Sequence, residues 1–310
     1  MLALRIHGYG GPEVMALEEA ARPEPAAGQI VVRVRAASIN PIDWKIREGA
    51  MRAVFPVAFP RTLGRDGAGT VAAVGADVQG LSEGDRVLVV PGPQADGTQA
   101  EYVAVPAAQA AVLPTGIEEG AAAACGVAGL SAWIPLIDLA AVKPGDRVLI
   151  HAAAGGVGTF AVQIAKNAGA EVIATASAAN ADYVRSLGAD TVIDYRTEDF
   201  AARARDCDVV FDSVGGDTFV RSLAVLKPGG IITHLAAAPI PAHTPRPDVR
   251  VAPARITYPR EKLAALLAWV AQGRIKPQIG RRFPLAEARA AYAASQQGGV
   301  RGKIVLDIQA

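Results

Sequence analysis

The stretch from Arg147 to Gly158 limits this chain's possible folds more than any other. Arg147-Val148-Leu149-Ile150-His151 reads as a buried strand, and Ala152-Ala153-Ala154-Gly155-Gly156-Val157-Gly158 follows it almost without side chains. From Val157 the apolar residues recur as Phe160, Ala161, Ile164, Ala165 and Ala168, the spacing of a helix with one buried face, and Gly169 closes it. Glu171-Val172-Ile173-Ala174-Thr175-Ala176 then supplies a second strand, which completes a βαβ unit. The turn has the pattern Ala153-x-Gly155-x-x-Gly158, with alanine at the first of three small positions. A turn of this kind leaves backbone N–H groups free at the positive end of a helix dipole, and a pyrophosphate can approach the main chain closely. It reads as a seat for a nucleotide.

Composition narrows the choice of partner. The chain has 310 residues, 51% of them hydrophobic, enough for about two domains with large cores. Basic and acidic residues number 31 and 30 without long blocks of either sign, so neither nucleic acid nor an anionic membrane is expected as a partner. No run of 18 or more apolar residues stands out as a membrane span, since Gly, Pro or charge interrupts the alanine-rich stretches. Met1-Leu2-Ala3-Leu4-Arg5-Ile6 alternates like a strand rather than an export signal, which predicts a cytoplasmic location. Two cysteines, Cys125 and Cys207, cannot build a disulfide framework or a four-sulfur zinc site, and both read as small core residues.

The chain changes character along its length. Up to about residue 115 short strands such as 29–36, 69–74 and 86–90 lie between Gly, Pro and Asp turns, which suggests a barrel-like antiparallel body. From about Gly120 strands near 147–152, 171–176, 191–195, 208–213 and 230–235 alternate with helices near 156–168, 180–187 and 216–226, which argues for a parallel sheet. Residues 239–247 are proline-rich and read as a connecting loop. Helices near 260–272 and 285–296 and a strand at 303–308 close the chain.

Several ordered segments carry a resemblance. They are Asn40-Pro41-Ile42-Asp43-Trp44-Lys45-Ile46-Arg47-Glu48-Gly49, Gly64-Arg65-Asp66-Gly67-Ala68-Gly69-Thr70-Val71, Gly84-Asp85-Arg86-Val87, Gly129-Leu130-Ser131-Ala132-Trp133, the 153–158 turn, Ser186-Leu187-Gly188-Ala189-Asp190, Asp212-Ser213-Val214-Gly215-Gly216 and Arg301-Gly302-Lys303-Ile304-Val305-Leu306. Over essentially its whole length the chain resembles the zinc-independent quinone oxidoreductase (zeta-crystallin-like) branch of the medium-chain dehydrogenase/reductase superfamily. The resemblance implies an α/β protein with a GroES-like β-barrel catalytic domain, residues 1–118 and 250–310, and a Rossmann-type doubly wound parallel sheet, residues 119–249. It also implies a homodimer. Zinc-dependent relatives hold their metal at places that here carry Asn40 or its neighbours, Arg65 and approximately Val127. Arginine and valine offer no lone pair to Zn²⁺, so no metal is expected.

The same resemblance distributes a nicotinamide dinucleotide over the chain. Ala154, Gly155, Gly156, Val157 and Gly158 would hold the diphosphate, while Ser177 and Tyr195 would meet the 2′-phosphate. Asn40, Asp43, Ser131, Val214, Gly215, Leu235 and Ala236 would contact the rest. NAD sites usually place an acid at the end of the second strand, where it would repel a 2′-phosphate. Here Ser177-Ala178-Ala179-Asn180 stands there, with no acid before Asp182, so NADPH is favoured and NADH stays open. Relatives often carry a lysine just after the serine; Arg185 or Arg196 could replace its charge.

Without a Lewis acid, a conjugated acceptor is easier to reduce than an isolated carbonyl, because the charge spreads onto an oxygen that needs only a hydrogen-bond donor. The expected substrate is therefore a small quinone or α,β-unsaturated carbonyl. Asn40 and Lys45 are the candidate catalytic donors, with Asp43 to orient them, and Arg47 reads as a structural or rim charge. Lys303 could equally be a solvated surface charge. His151 reads as a packing or locally bonded residue, His234 keeps some functional potential, and His7 and His243 have no evident partner. An enoyl-thioester reductase and a non-catalytic NADPH-binding sensor are the alternatives.

Overall fold

The computed structural model describes residues 1–235 and 238–308. The chain forms two compact units, Met1–Val127 with Tyr258–Ala310, and Ala128–Thr257. The sequence placed these divisions earlier, at 118/119 and 249/250. They fall later because one helix runs across the first division, and because residues 250–253 pair with the parallel sheet of the second unit.

In the first unit β1 (Leu2–Ile6), β2 (Met15–Glu19) and β3 (Gln29–Ile39) precede a short helix α1 (Pro41–Arg47). Then come β4 (Arg61–Thr62), β5 (Gly67–Val74), β6 (Arg86–Val89), β7 (Tyr102–Pro106), β8 (Ala110–Val112) and helix α2 (Glu119–Trp133). Strand β3 is the spine. Its residues Ile30, Val31, Val32, Val34, Ala36 and Ala37 are all at most 2% exposed, so both faces are covered and the strand reads as a near-continuous apolar run.

The second unit opens on β9 (Arg147–Ile150) and continues through α3 (Gly156–Asn167), β10 (Glu171–Ala176), α4 (Ala181–Ser186), β11 (Thr191–Asp194), α5 (Phe200–Arg203), β12 (Cys207–Asp212), α6 (Asp217–Leu223), β13 (Leu226–His234) and β14 (Arg250–Pro253). All pairings are parallel, in the order β11-β10-β9-β12-β13-β14. The chain therefore winds outward from β9 in one direction and then returns to wind outward in the other, and the reversal falls between β9 and β12. In such sheets ligands bind outside the carboxyl ends of the strands, at that reversal. Strand β14 was not legible in the sequence, because Arg-Val-Ala-Pro is short, ends in proline and lies at an exposed edge.

The chain then returns to the first unit through α7 (Arg260–Ala271), β15 (Ile279–Pro284), α8 (Ala288–Gln297) and β16 (Lys303–Asp307). Strand β16 lies antiparallel on β3, with Ile304 opposite Ile39 and Val305 opposite Ser38. This pairing completes a seven-stranded sheet in which β15, β16, β3, β5, β6 and β8 follow one another and β7 also pairs with β3. Strands β2, β1 and β4 form a smaller sheet.

The helical stretch Glu119–Leu139, α2 and the π-helical turn that follows it, has 21 residues with mean hydropathy 1.6, long and apolar enough to cross a membrane. The sequence reading saw no such run. Its most apolar window is 89% buried inside the protein, as expected of a helix covered on every side.

Arg47, read as a structural or rim charge, is wholly buried. Its guanidinium donates to Gly10 O at 3.2 Å and to Glu48 at 2.6 Å, and it lies over the Tyr292 ring at 5.6 Å, so it joins α1 to the N-terminal segment and α8. Truncation removes a large side chain from a packed site together with its bonds. We expect Arg47→Ala to lower stability by about 2–4 kcal/mol in chemical denaturation. A loss below about 0.5 kcal/mol would mark it as a surface charge.

Candidate active site

In the second unit the turn after β9 is pinned to β10. Ala153 N–H donates to Thr175 O at 3.0 Å and Ala152 N–H to Thr175 Oγ1 at 3.3 Å. Ala152 takes φ of +52°, a left-handed conformation that L-residues adopt at a cost. A Cβ on Gly158 would stand 2.2 Å from Ala152 O, so this glycine lets α3 pack directly on the turn. Gly155 caps α3, and the N–H groups of Gly156, Val157 and Gly158 in its first turn have no carbonyl behind them within the helix. Ala154, Gly155, Gly156 and Val157 are partly exposed, whereas Gly158 is buried. The turn therefore offers backbone donors and a positive helix end at its surface, which fits a diphosphate.

The end of the next strand, β10, carries no acid before Asp182. Ser177 stands at the N-cap of a short 3-10 turn without using its side chain as a cap. Asp182 is fully exposed and pairs with Arg185 at 2.8 Å, so Arg185 already has an anionic partner. Tyr195 N–H reaches Ala176 O at 3.3 Å, which brings this 55% exposed ring beside the end of β10, with the Arg196 guanidinium 5.8 Å from its centroid. Asp194, the neighbouring acid, folds its own turn by accepting from Arg196 N–H at 3.1 Å and Thr197 Oγ1 at 3.0 Å.

After β12, the buried Asp212 carboxylate accepts Val214 N–H at 2.8 Å and Gly215 N–H at 3.0 and 3.1 Å. Gly215 has φ of +80°, and a Cβ there would meet Ala238 O at 2.5 Å. Val214 is 38% exposed. Leu235 is half-buried and donates its N–H to Asp212 O at 3.0 Å; Ala236 lies outside the described residues. Ser131 is nearly buried on α2.

His151 is a structural bridge. Ser222 Oγ donates to Thr218 O at 2.6 Å, so at 2.9 Å it accepts from His151 Nε2–H, and His151 Nδ1 then accepts from Thr175 Oγ1 at 3.1 Å. Burial pushes this imidazole down to about 4, with Asp212 pulling the other way. His234 is also pushed down by burial, and its Nδ1 is buried without a partner. His7 and His243 do have partners, Glu18 at 3.0 Å and Pro241 O at 3.0 Å, both exposed.

The first unit holds a buried polar cluster where β3 ends and α1 begins. Asp66 Oδ1 accepts from Ser38 Oγ at 2.5 Å and from Asn40 Nδ2 at 2.9 Å, and its Oδ2 accepts Val127 N–H at 2.7 Å. Asn40 Nδ2 also reaches Ser38 Oγ at 3.3 Å, while Asn40 Oδ1 accepts from Lys303 Nζ at 2.5 Å. Both ends of the Asn40 carboxamide are thus engaged within the protein. Lys303 donates further to Ile39 O at 2.9 Å and is 4% exposed, which removes the alternative of a solvated surface charge. Burial pushes its ammonium down, and Asp66 and Asp43 hold it up.

Asp43 Oδ2 caps α1 by accepting Asn40 N–H at 2.8 Å, and its Oδ1 is buried without a partner. Burial, then the nearby Asp66, raise it to about 7, so it is protonated below neutral pH and partly ionised near pH 7. Lys45 is half-exposed on α1, with its ammonium 5.7 Å from the Trp44 ring. The sequence reading did not single out Ser38 or Asp66, and it left Lys303 open between a contact and a surface charge. A buried polar residue within an apolar strand, Ser38 in β3, was the one available signal. Arg65 is 5% exposed and donates Nε–H to Pro91 O at 3.1 Å. Cys125 is buried, its thiol pushed up by that burial.

Residues 26–115 match the alcohol dehydrogenase GroES-like domain family, and residues 187–306 match a family described as zinc-binding dehydrogenase. A chloroplastic quinone oxidoreductase of Triphysaria versicolor is 32% identical over 99% of this chain and 98% of its own length. A chloroplastic NADPH-dependent alkenal/one oxidoreductase of Arabidopsis thaliana is 33% identical over 96% of this chain and 77% of its own. The structure of the Escherichia coli quinone oxidoreductase complexed with NADPH matches with a TM-score of 0.88 and 32% identity, covering 99% of this chain and 100% of that one. These likenesses define an oxidoreductase. The chain belongs to the quinone oxidoreductase branch of the medium-chain dehydrogenase/reductase superfamily.

Two buried groups give stability opposite pH dependences. His151 ionises near 4 when folded and near 6.5 when unfolded, so its contribution is complete above pH 6.5 and lost as pH falls towards 4, about 3 kcal/mol in all. Asp43 ionises near 7 folded and 3.8 unfolded, so its contribution is complete below 3.8 and lost as pH rises through 7. Across about pH 4–7 the wild-type advantage over His151→Gln should therefore grow with pH, and that over Asp43→Asn should shrink. Denaturation curves for the three proteins check this; parallel profiles would refute it.

Proposed function

We propose that the protein is an NADPH-dependent, zinc-independent oxidoreductase that reduces quinones or α,β-unsaturated carbonyls by hydride transfer. The observation that carries the reading is the 153–158 turn at the reversal of a doubly wound sheet, with no acid at the end of β10. Ala154, Gly155, Gly156, Val157 and Gly158 would hold the diphosphate, and Ser177, Tyr195 and Arg196 the 2′-phosphate. Val214, Gly215, Leu235, Ser131, Asn40 and Asp43 complete the proposed cofactor set. When bound, the dinucleotide supplies a hydride.

The relatives named quinone and alkenal/one oxidoreductases support the acceptor class, and the NADPH-bound Escherichia coli enzyme supports the cofactor. Zinc independence rests on donor chemistry: Arg65 is cationic and Val127 contributes only a backbone N–H to Asp66. Of the two proposed catalytic residues, Lys45 keeps its ammonium on the half-exposed face of α1. Asn40, with its carboxamide engaged, acts by holding Lys303 and Asp66 in place. A cytoplasmic homodimer belongs to the same reading; the edge strand β14, with Val251 48% exposed, offers a surface for pairing.

The test is oxidation of NADPH and NADH by the purified protein with quinones, enals, enones and enoyl-thioesters, together with metal analysis. We expect turnover with quinones or enones, faster with NADPH, and no stoichiometric zinc. Tight dinucleotide binding with no turnover on any acceptor would leave a sensor, and stoichiometric zinc needed for activity would overturn the metal-free chemistry.

Cofactor choice has a separate check. Losing one charged contact to a 2′-phosphate costs about 1.5–3 kcal/mol. Arg196→Ala should therefore raise KM for NADPH roughly tenfold or more and leave KM for NADH within about twofold. Equal changes for both cofactors would remove Arg196 from phosphate recognition.

A further inference from the structure

We propose that Arg65 is a catalytic residue whose guanidinium donates hydrogen bonds to the carbonyl oxygen of the acceptor as negative charge gathers there. This deepens the proposed function and rests on it. In such a reduction the acceptor's electron-poor carbon takes the hydride and its electron pair. The C=C pair shifts to the bond between the adjacent carbon and the carbonyl carbon, the C=O pair moves onto the oxygen, and one proton from water restores neutrality. Arg65 gives up no atom and ends unchanged.

The case begins with where the positive charges of the first unit are spent. A buried charge is normally paired or fully hydrogen-bonded, because its desolvation costs several kcal/mol. Lys303 meets this requirement through Asn40 Oδ1 and Ile39 O, and Arg47 through Gly10 O and Glu48. Arg65 does not. It is 5% exposed, and among the described residues its one hydrogen bond is from Nε to Pro91 O at 3.1 Å. No carboxylate of a described residue lies within ion-pair distance of it, and its guanidinium carbon sits 5.5 Å from the centre of the Tyr258 ring. The terminal nitrogens are absent from the fully buried unpaired atoms, so they reach the small surface that Arg65 retains.

Its acidic neighbours are hydrogen-bonded to other groups. Asp66, next in the chain, spends its oxygens on Ser38, Asn40 and the Val127 N–H. Arg61 is likewise 5% exposed and donates to Pro93 O at 3.1 Å, with Asp96 as its carboxylate neighbour. A planar fork with its Nε side fixed and its terminal donors unclaimed suits an oxygen that gains charge during reaction. Preorganised donors of this kind contribute most where water is scarce.

The experiment uses the full chain with Arg65→Gln and Arg65→Lys. For enone or quinone reduction, Arg65→Gln should lower kcat by roughly 100-fold with a smaller change in KM, and Arg65→Lys should recover part of the loss. NADPH affinity, followed by fluorescence, should stay within about twofold in both. Benzoate, whose carboxylate stands in for the charged oxygen, should bind the wild-type protein in calorimetry and bind Arg65→Gln at least about tenfold more weakly. If Arg65→Gln fails to fold, Arg65→Lys carries the test, because it keeps the charge and loses the fork; unchanged kcat and benzoate affinity in it would overturn the proposal. Wild-type turnover that survives Arg65→Gln undiminished defeats this role alone. A wild-type protein that reduces no acceptor defeats the functional reading and this role together.

Discussion

The antiparallel pairing of β16 on β3 is the constraint on which the polar cluster of the first unit depends. Ile304 opposite Ile39 and Val305 opposite Ser38 place Lys303 one step beyond, beside Asn40. A shift of one residue would turn that ammonium to the other face of the sheet, since side chains alternate along a strand. With the register as it is, Lys303 fixes Asn40 Oδ1, Asn40 Nδ2 fixes Asp66, and Asp66 holds Ser38 and the backbone at Val127. A residue near the C-terminus thus sets the shape of a loop near the N-terminus.

The second unit reaches its site by a different route, and this explains what the sequence could disclose. Its turn is built from residues close together in the chain: β9, the 151–155 turn and α3 follow one another, and the period of the apolar residues changes where the structure changes. Helix α3 and strand β10 accordingly lie within a residue of where their patterns put them. The cluster in the first unit joins residues 38, 40, 43, 66 and 303, and no local pattern announces it. Lys303 looked like a surface charge because lysine usually is one, and only the strand register takes it out of water. His151 was legible as structural, yet its partners Thr175 and Ser222 belong to a different strand and helix. Strand β14 escaped because an edge strand needs neither length nor periodicity once β13 offers its hydrogen bonds.

Polar groups in the two units serve opposite electrical ends. In the second unit His151 is held neutral and Asp212 is consumed by the 213–215 turn, so side chains near the strand ends add little charge and the helix end and backbone N–H groups set the local potential. This suits a ligand that brings its own negative charge. In the first unit burial raises the capping carboxyl of Asp43 to about 7, so below neutral pH the nearby Arg65 loses one of its carboxylate neighbours.

On the proposed reading, Arg65 bears on which acceptors the chemistry can serve. A divalent metal stabilises a fully formed alkoxide, as reduction of an isolated carbonyl demands. A guanidinium carries one charge, cannot lose it within the working range of a protein, and acts through directional N–H donors. It can match the more diffuse charge on the oxygen of a reduced enone or quinone, because conjugation has already shared that charge over several atoms. On the proposed metal-free reading, a cation with only a carbonyl to hold it would narrow the reaction towards conjugated acceptors. The nearly buried position of Arg65 strengthens each hydrogen bond it makes by excluding competing water, and it also makes an empty site costly, which would favour an oxygen-bearing ligand over an apolar one.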